Sequence, residues 1–197
     1  MYSGKVSVKE NICNISKKLG YLGVSYSQVQ GYDINSSNGK HFFVNIANEE
    51  HAMLSKYDAS TKELVHTGDI KNVIMHGNDC AYYKGDYYIV CGSNSKKIKC
   101  YDSTFNYKKT YTFVPKSTYL HGNDISQISC IAHYKDSKFI LGYGSDLAIC
   151  NLEEDRFSEI YRIELNENQV IGIKMRGGTE SCSGQGIYCK NNELYKV

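Results

Sequence analysis

The tetrapeptide His76-Gly77-Asn78-Asp79 recurs 45 positions later as His121-Gly122-Asn123-Asp124. An imidazole, an amide and a carboxylate this close together can bind a polar ligand, hold a divalent cation through oxygen, or move protons. In a functional reading, His76, Asn78, Asp79, His121, Asn123 and Asp124 converge on one ligand. In a structural reading, the glycines permit tight backbone crossings while Asn and Asp bond to nearby main chain. The sequence leaves both open. Gln30 precedes Gly31 and Gln185 precedes Gly186, just as His76 and His121 precede their glycines. Gln30, His76, His121 and Gln185 would then form a polar ring able to donate to an anion or a sugar.

Other chemistry has weaker support. Arg176 opens the Gly- and Ser-rich segment "RGGTESCSGQG", which lacks the Gly-Lys-Ser/Thr ending of a phosphate-binding loop. As the longest departure from the repeat described below, this segment is expected either to lie over the site as a lid or to serve as a plain connection. Cys182 has no local nucleophile signature. Asp33, Asp79 and Glu180 could work as an acid and base pair, but nothing in the sequence fixes their separation. The eight cysteines contain no Cys-x-x-Cys pair, so zinc-ribbon spacing is absent. Several sit in apolar runs such as "IVCG" and "ISCIA", which points to reduced core thiols.

These residues need a scaffold, and the composition points to β structure. There are 18 Tyr, no Trp and a single Pro. Basic and acidic residues nearly balance, 23 against 21, and only Arg156, Arg162 and Arg176 offer a planar guanidinium. That excludes a dedicated duplex nucleic-acid reader. The polar N-terminus lacks a secretory apolar core, and no apolar run reaches membrane-spanning length. A soluble, cytoplasmic protein with no membrane partner is expected. The Lys-, Asn-, Ile- and Tyr-rich vocabulary suggests a bacterial or phage source.

"AYYKGDYYIVCG" (81–92) aligns with "AHYKDSKFILGYG" (132–144), and weaker copies occupy 30–48 and 185–197. Each copy reads as strand, tight polar turn, strand, and further strands follow in the full copies. Four antiparallel strands per unit form the blade of a β-propeller. The segment "NEEHAMLSKY" is rich in helix formers, yet its place in the repeat assigns it to a strand. Gly31, Gly77 and Gly122 mark blade-length intervals, which predicts one all-β domain over 1–197. Its blades are 31–75, 76–120, 121–170, and 185–197 combined with 1–30, with 166–184 inserted. Four blades are expected, or five if the insertion is itself a thin blade. Sharing one blade between the two chain ends would remove free sheet edges.

In this blade pattern the chain resembles bacterial β-propeller repeat proteins over nearly its whole length. The Asn-Asp pair ahead of an inner strand is similar to one in calcium-dependent lactonase propellers, a match of two residues that implies a divalent cation held by oxygen. The expectation from the residues is a non-catalytic protein without a cofactor. Its channel mouth would bind, and could sequester, a small anionic or nucleotide-like ligand or a partner-protein loop. The alternative is a metal-dependent hydrolase or lyase working at the His-Gly-Asn-Asp rim. The oligomeric state is not legible.

Overall fold

The computed structural model describes residues 28–34, 40–47, 52–61, 63–69, 77–91, 95–116, 127–143, 146–163, 174–176, 186–190 and 193–196. All of the regular structure among them is β. Strands β1 (Gln28–Ile34), β2 (His41–Ala47), β3 (Ala52–Asp58) and β4 (Leu64–Asp69) form one sheet in chain order. A second meander comprises β5 (Gly77–Tyr83), β6 (Asp86–Cys91), β7 (Lys97–Tyr101) and β8 (Tyr107–Val114). A third comprises β9 (Cys130–Lys135), β10 (Lys138–Tyr143), β11 (Asp146–Leu152) and β12 (Arg156–Ile163). The outer strands β8 and β12 pair in parallel at Thr112–Val114, fusing these two meanders into one nearly closed eight-stranded sheet. The last sheet contains β13 (Lys174–Arg176), β14 (Ile187–Lys190) and β15 (Glu193–Lys196) in the order β13-β15-β14. The chain is a small β-propeller of repeated antiparallel meanders.

Local sequence explains the meanders. The turn between β5 and β6 places Lys84 at φ 50° and Gly85 at φ 92°. Two consecutive left-handed residues give the hairpin turn whose twist matches that of the flanking strands. Asp58 and Asp102 close the β3–β4 and β7–β8 turns. Asp58 Oδ1 accepts from the N–H groups of Ser60 and Thr61, and Asp102 Oδ1 from those of Thr104 and Asn106. The repeated Tyr-Asp pair is therefore a turn device. The helix formers of "AMLSKY" lie in β3, paired on both sides by β2 and β4, so tertiary pairing overrides local preference.

The core lies between the sheets. Along β6, Tyr87 and Ile89 enter the cluster with Leu54 and Tyr101, while Tyr88 and Val90 enter the one with Phe139 and Phe157. A strand buried on both faces reads as a continuous apolar run, as "YYIV" does. A third cluster joins Cys130, Ile140 and Leu147 of the third meander to Ile187 and Leu194 of the last sheet. Cys80, Cys91, Cys100, Cys130, Cys150 and Cys189 are free thiols at buried or half-buried positions, as expected for core cysteines; Cys13 and Cys182 lie outside the described residues. Burial pushes the thiols of Cys91, Cys100 and Cys189 up to about 11.

Two parts of the repeat-based picture concern the last sheet. β13 falls within 166–184, the stretch set aside as an insertion, and pairs in parallel with β15. The N-terminal strands expected to complete the last blade lie outside the described residues.

Candidate functional site

Among the described residues, the inner strands β1, β5, β9 and β14 are not paired with one another, and side chains join them. Two aspartates on inner strands do this. Asp33 on β1 is 7% exposed, and its Oδ2 accepts from the Tyr82 N–H of β5 at 2.7 Å. Asp79 on β5 has no solvent exposure. Its Oδ1 accepts from the Cys80 N–H at 2.9 Å, and its Oδ2 from Ile131 N–H at 3.0 Å and Ile187 N–H at 3.2 Å. One carboxylate thus ties β5 to both β9 and β14.

The fourth side of Asp79 is closed by β1. A Cβ on Gly31 would stand 2.2 Å from Asp79 Oδ1 and 2.7 Å from its Cα, closer than real atoms approach. Gly31 is there because the backbone of β1 must lie directly against Asp79. Strands β1, β5, β9 and β14 all meet at this one side chain. Burial raises the Asp79 pKa well above the usual 3.8, and the nearby Asp33 charge adds to this, against the opposing pull of the three N–H donors.

The ladder is irregular beside this point. In β1, Val29 pairs with Ile46 and Gly31 with Asn45, leaving Gln30 as a bulge. In β5, Gly77 pairs with Cys91 and Asp79 with Val90, leaving Asn78 as a bulge. Bulges take a residue out of the ladder, re-aim its side chain, and are frequent beside binding sites. Asn78 is 6% exposed.

Gln30 and Asn78 are thus the bulge residues of β1 and β5, and each precedes a member of the Gly31–Asp79 contact. Arg176 ends β13, where it pairs with Tyr195. His76, His121, Asn123, Asp124 and Gln185 lie outside the described residues. The two tetrapeptides also differ in position. The first runs into β5 from Gly77, whereas the second ends six residues ahead of β9, which starts at Cys130. As for an acid and base pair, Asp33 spends one oxygen and Asp79 both oxygens on backbone N–H groups, and Glu180 lies outside the described residues.

The roles of Asp33 as a fastener and of Gly31 as the contact surface of Asp79 were not legible in the sequence. A partial signal was available in Gly-x-Asp, which occurs as Gly31-Tyr32-Asp33, Gly77-Asn78-Asp79, Gly122-Asn123-Asp124 and, at the start of β11, Gly144-Ser145-Asp146. In the first two, the carboxylate accepts from the next inner strand.

No protein-family model matches the chain, and no curated protein matches it. Among solved structures, it is similar to a protein of unknown function from Bacteroides caccae, at 12% identity and a TM-score of 0.50, over 75% of this chain and 49% of that one. It also matches the Dos1 propeller at 9% identity and a TM-score of 0.49, over 71% and 34% of the two chains. Kluyvelomyces marxianus Hsv2 matches at 9% identity and a TM-score of 0.45, over 68% and 36%. The chain spans between about a third and a half of the length of these structures. Among the described residues, no helix is long and apolar enough to cross a membrane.

Proposed function

We propose that this propeller is a non-catalytic binding protein whose polar channel mouth takes a small anionic or nucleotide-like ligand. The observation that carries this reading is the pair of bulges at Gln30 and Asn78 on neighbouring inner strands, each next to a residue of the buried Gly31–Asp79 contact. In this reading the buried Asp79 closes the bottom of the mouth, and a blind polar funnel would suit capture of a small molecule. In this reading His76, His121, Asn123, Asp124, Gln185 and Arg176 complete the rim. Asp79 forms the floor and holds the rim strands in place without touching the ligand. A partner-protein loop reaching into the same mouth would meet the same donors and acceptors.

The test is thermal unfolding of the full chain against nucleoside mono-, di- and triphosphates and against calcium, manganese and zinc. A ligand stabilises the state it binds. A nucleotide should raise the Tm, and His76→Ala with His121→Ala should abolish that rise while leaving the ligand-free Tm unchanged. A rise with a divalent cation alone would replace this reading with the hydrolase or lyase alternative. No rise with any nucleotide, or a rise that survives in the double variant, would overturn the site.

A further inference from the structure

The chain as a whole carries a net charge of only +2, but that balance is not evenly spread. Residues 95–116, the β7–β8 hairpin and its flanks, contain six lysines and one acid, Asp102, a surplus of five that leaves the rest of the chain three negative. Asp102 is committed to its turn, where it accepts from Thr104 and Asn106. Two of the lysines are also engaged. Lys108 pairs with Asp86 at 2.6 Å, and Lys109 Nζ donates to the Glu154 carbonyl.

Strand alternation separates the remaining lysines from the core. Ile98 and Cys100 are buried, while Lys97 and Lys99 project from the opposite face of β7. Across the ladder, Lys97 faces Thr112 and Lys99 faces Thr110. Tyr107, 45% exposed, is on the same face, and Lys99 Nζ sits 5.7 Å from the centre of its ring. Among the described residues, Lys96, Lys97 and Lys99 make no ion pair, and no acidic side chain of β7 or β8 lies on this face.

We infer that this face binds single-stranded nucleic acid, with lysines on its phosphates and Tyr107 stacked on a base. Lysine ammonium groups beside a half-exposed aromatic ring, here held edge-on by Tyr101, are the combination that holds such strands without reading sequence. The Thr110 hydroxyl is hydrogen-bonded to the Tyr107 hydroxyl at 2.8 Å and so fixes the ring beside the lysines. An acidic peptide fits less well. The usual way for a peptide to add to a sheet is as a further strand, and the edge of β8 is already paired with β12 at Thr112–Val114. The lysines are point charges on flexible stems, which suits a flexible strand better than the fixed grooves of a duplex.

The experiment is fluorescence anisotropy of a labelled oligothymidylate titrated with the full chain at 50 mM salt and above. Binding should weaken with salt, with a log–log slope of about −1.4 to −2 for two or three phosphate contacts. Lys97→Glu with Lys99→Glu should weaken it at least about tenfold and remove most of that slope, with an unchanged Tm. Tyr107→Ala should weaken it by roughly five- to a hundredfold, the range expected for one stacked base. No binding by the wild type, or equal binding by the double lysine variant, would overturn the inference. So would a matching duplex or polyglutamate that competes better than the single strand.

Discussion

At the residue scale, removing the Asp79 carboxylate strands the N–H groups of Cys80, Ile131 and Ile187 together. A buried donor left without a partner costs about 1–3 kcal/mol, so Asp79→Ala should lose at least about 3 kcal/mol in chemical denaturation. Asp79→Asn keeps an acceptor for Cys80 but turns an NH2 group towards two N–H donors, so it should not rescue stability. Gly31→Ala drives a methyl group into Asp79 and its backbone and should cost about 1–3 kcal/mol by overpacking. The pH dependence has a definite sign. The folded-state pKa of Asp79 lies above 3.8, so folding favours its protonated form, and its contribution falls as pH rises from near 3.8 towards the folded value. The stability gap between wild type and Asp79→Asn should therefore widen as pH is lowered through that window. Asp102 runs the other way. The Asn106 N–H, its strongest partner, helps hold it down to about 2, so its contribution is present above 3.8 and is lost as pH falls towards 2. Denaturation of Asp79→Asn and Asp102→Ala across pH separates the two.

At the scale of elements, the β8–β12 pairing makes the second and third meanders one cooperative unit. Phe157 stands at its centre, with Tyr88, Tyr111 and Phe139 all within 5.8 Å between ring centroids. Phe157→Ala should cost about 3–5 kcal/mol, with loss of a single unfolding transition as the contrary sign that the meanders fold separately. The strands and their hairpins were legible because turn residues and apolar runs repeat with the blade, as at Lys84-Gly85 and "YYIV". The parallel outer pairing was not legible. It depends on the angle between two sheets, which no local pattern in 112–114 or 156–158 encodes. The candidate site was legible in its residue types but not in its division of labour. His-Gly-Asn-Asp looks like one unit in sequence, yet the chain directs Asn78 into a bulge and Asp79 into the hub. That division follows from a one-residue bulge, and alternation flips with every such insertion.

On the scale of the whole molecule, separate sheets become one ring because inner strands share buried carboxylates in place of backbone ladders. Asp33 links β1 to β5, and Asp79 links β5 to β9 and β14, elements up to 108 residues apart in the chain. Such long-range contacts are slow to form but fix how the inner strands sit against one another. The proposed ligand site depends on that rigidity, while the lysine face on β7 and β8 depends only on its own hairpin. Amide hydrogen exchange, read residue by residue, tests the hub most directly. In the wild type, the Tyr82, Ile131 and Ile187 amides should exchange only through global unfolding. In Asp79→Asn, protection should collapse at Ile131 and Ile187 and persist at Tyr82, which Asp33 holds. Fast exchange at Ile131 and Ile187 in the wild type, or protection there that ignores the substitution, would contradict the account.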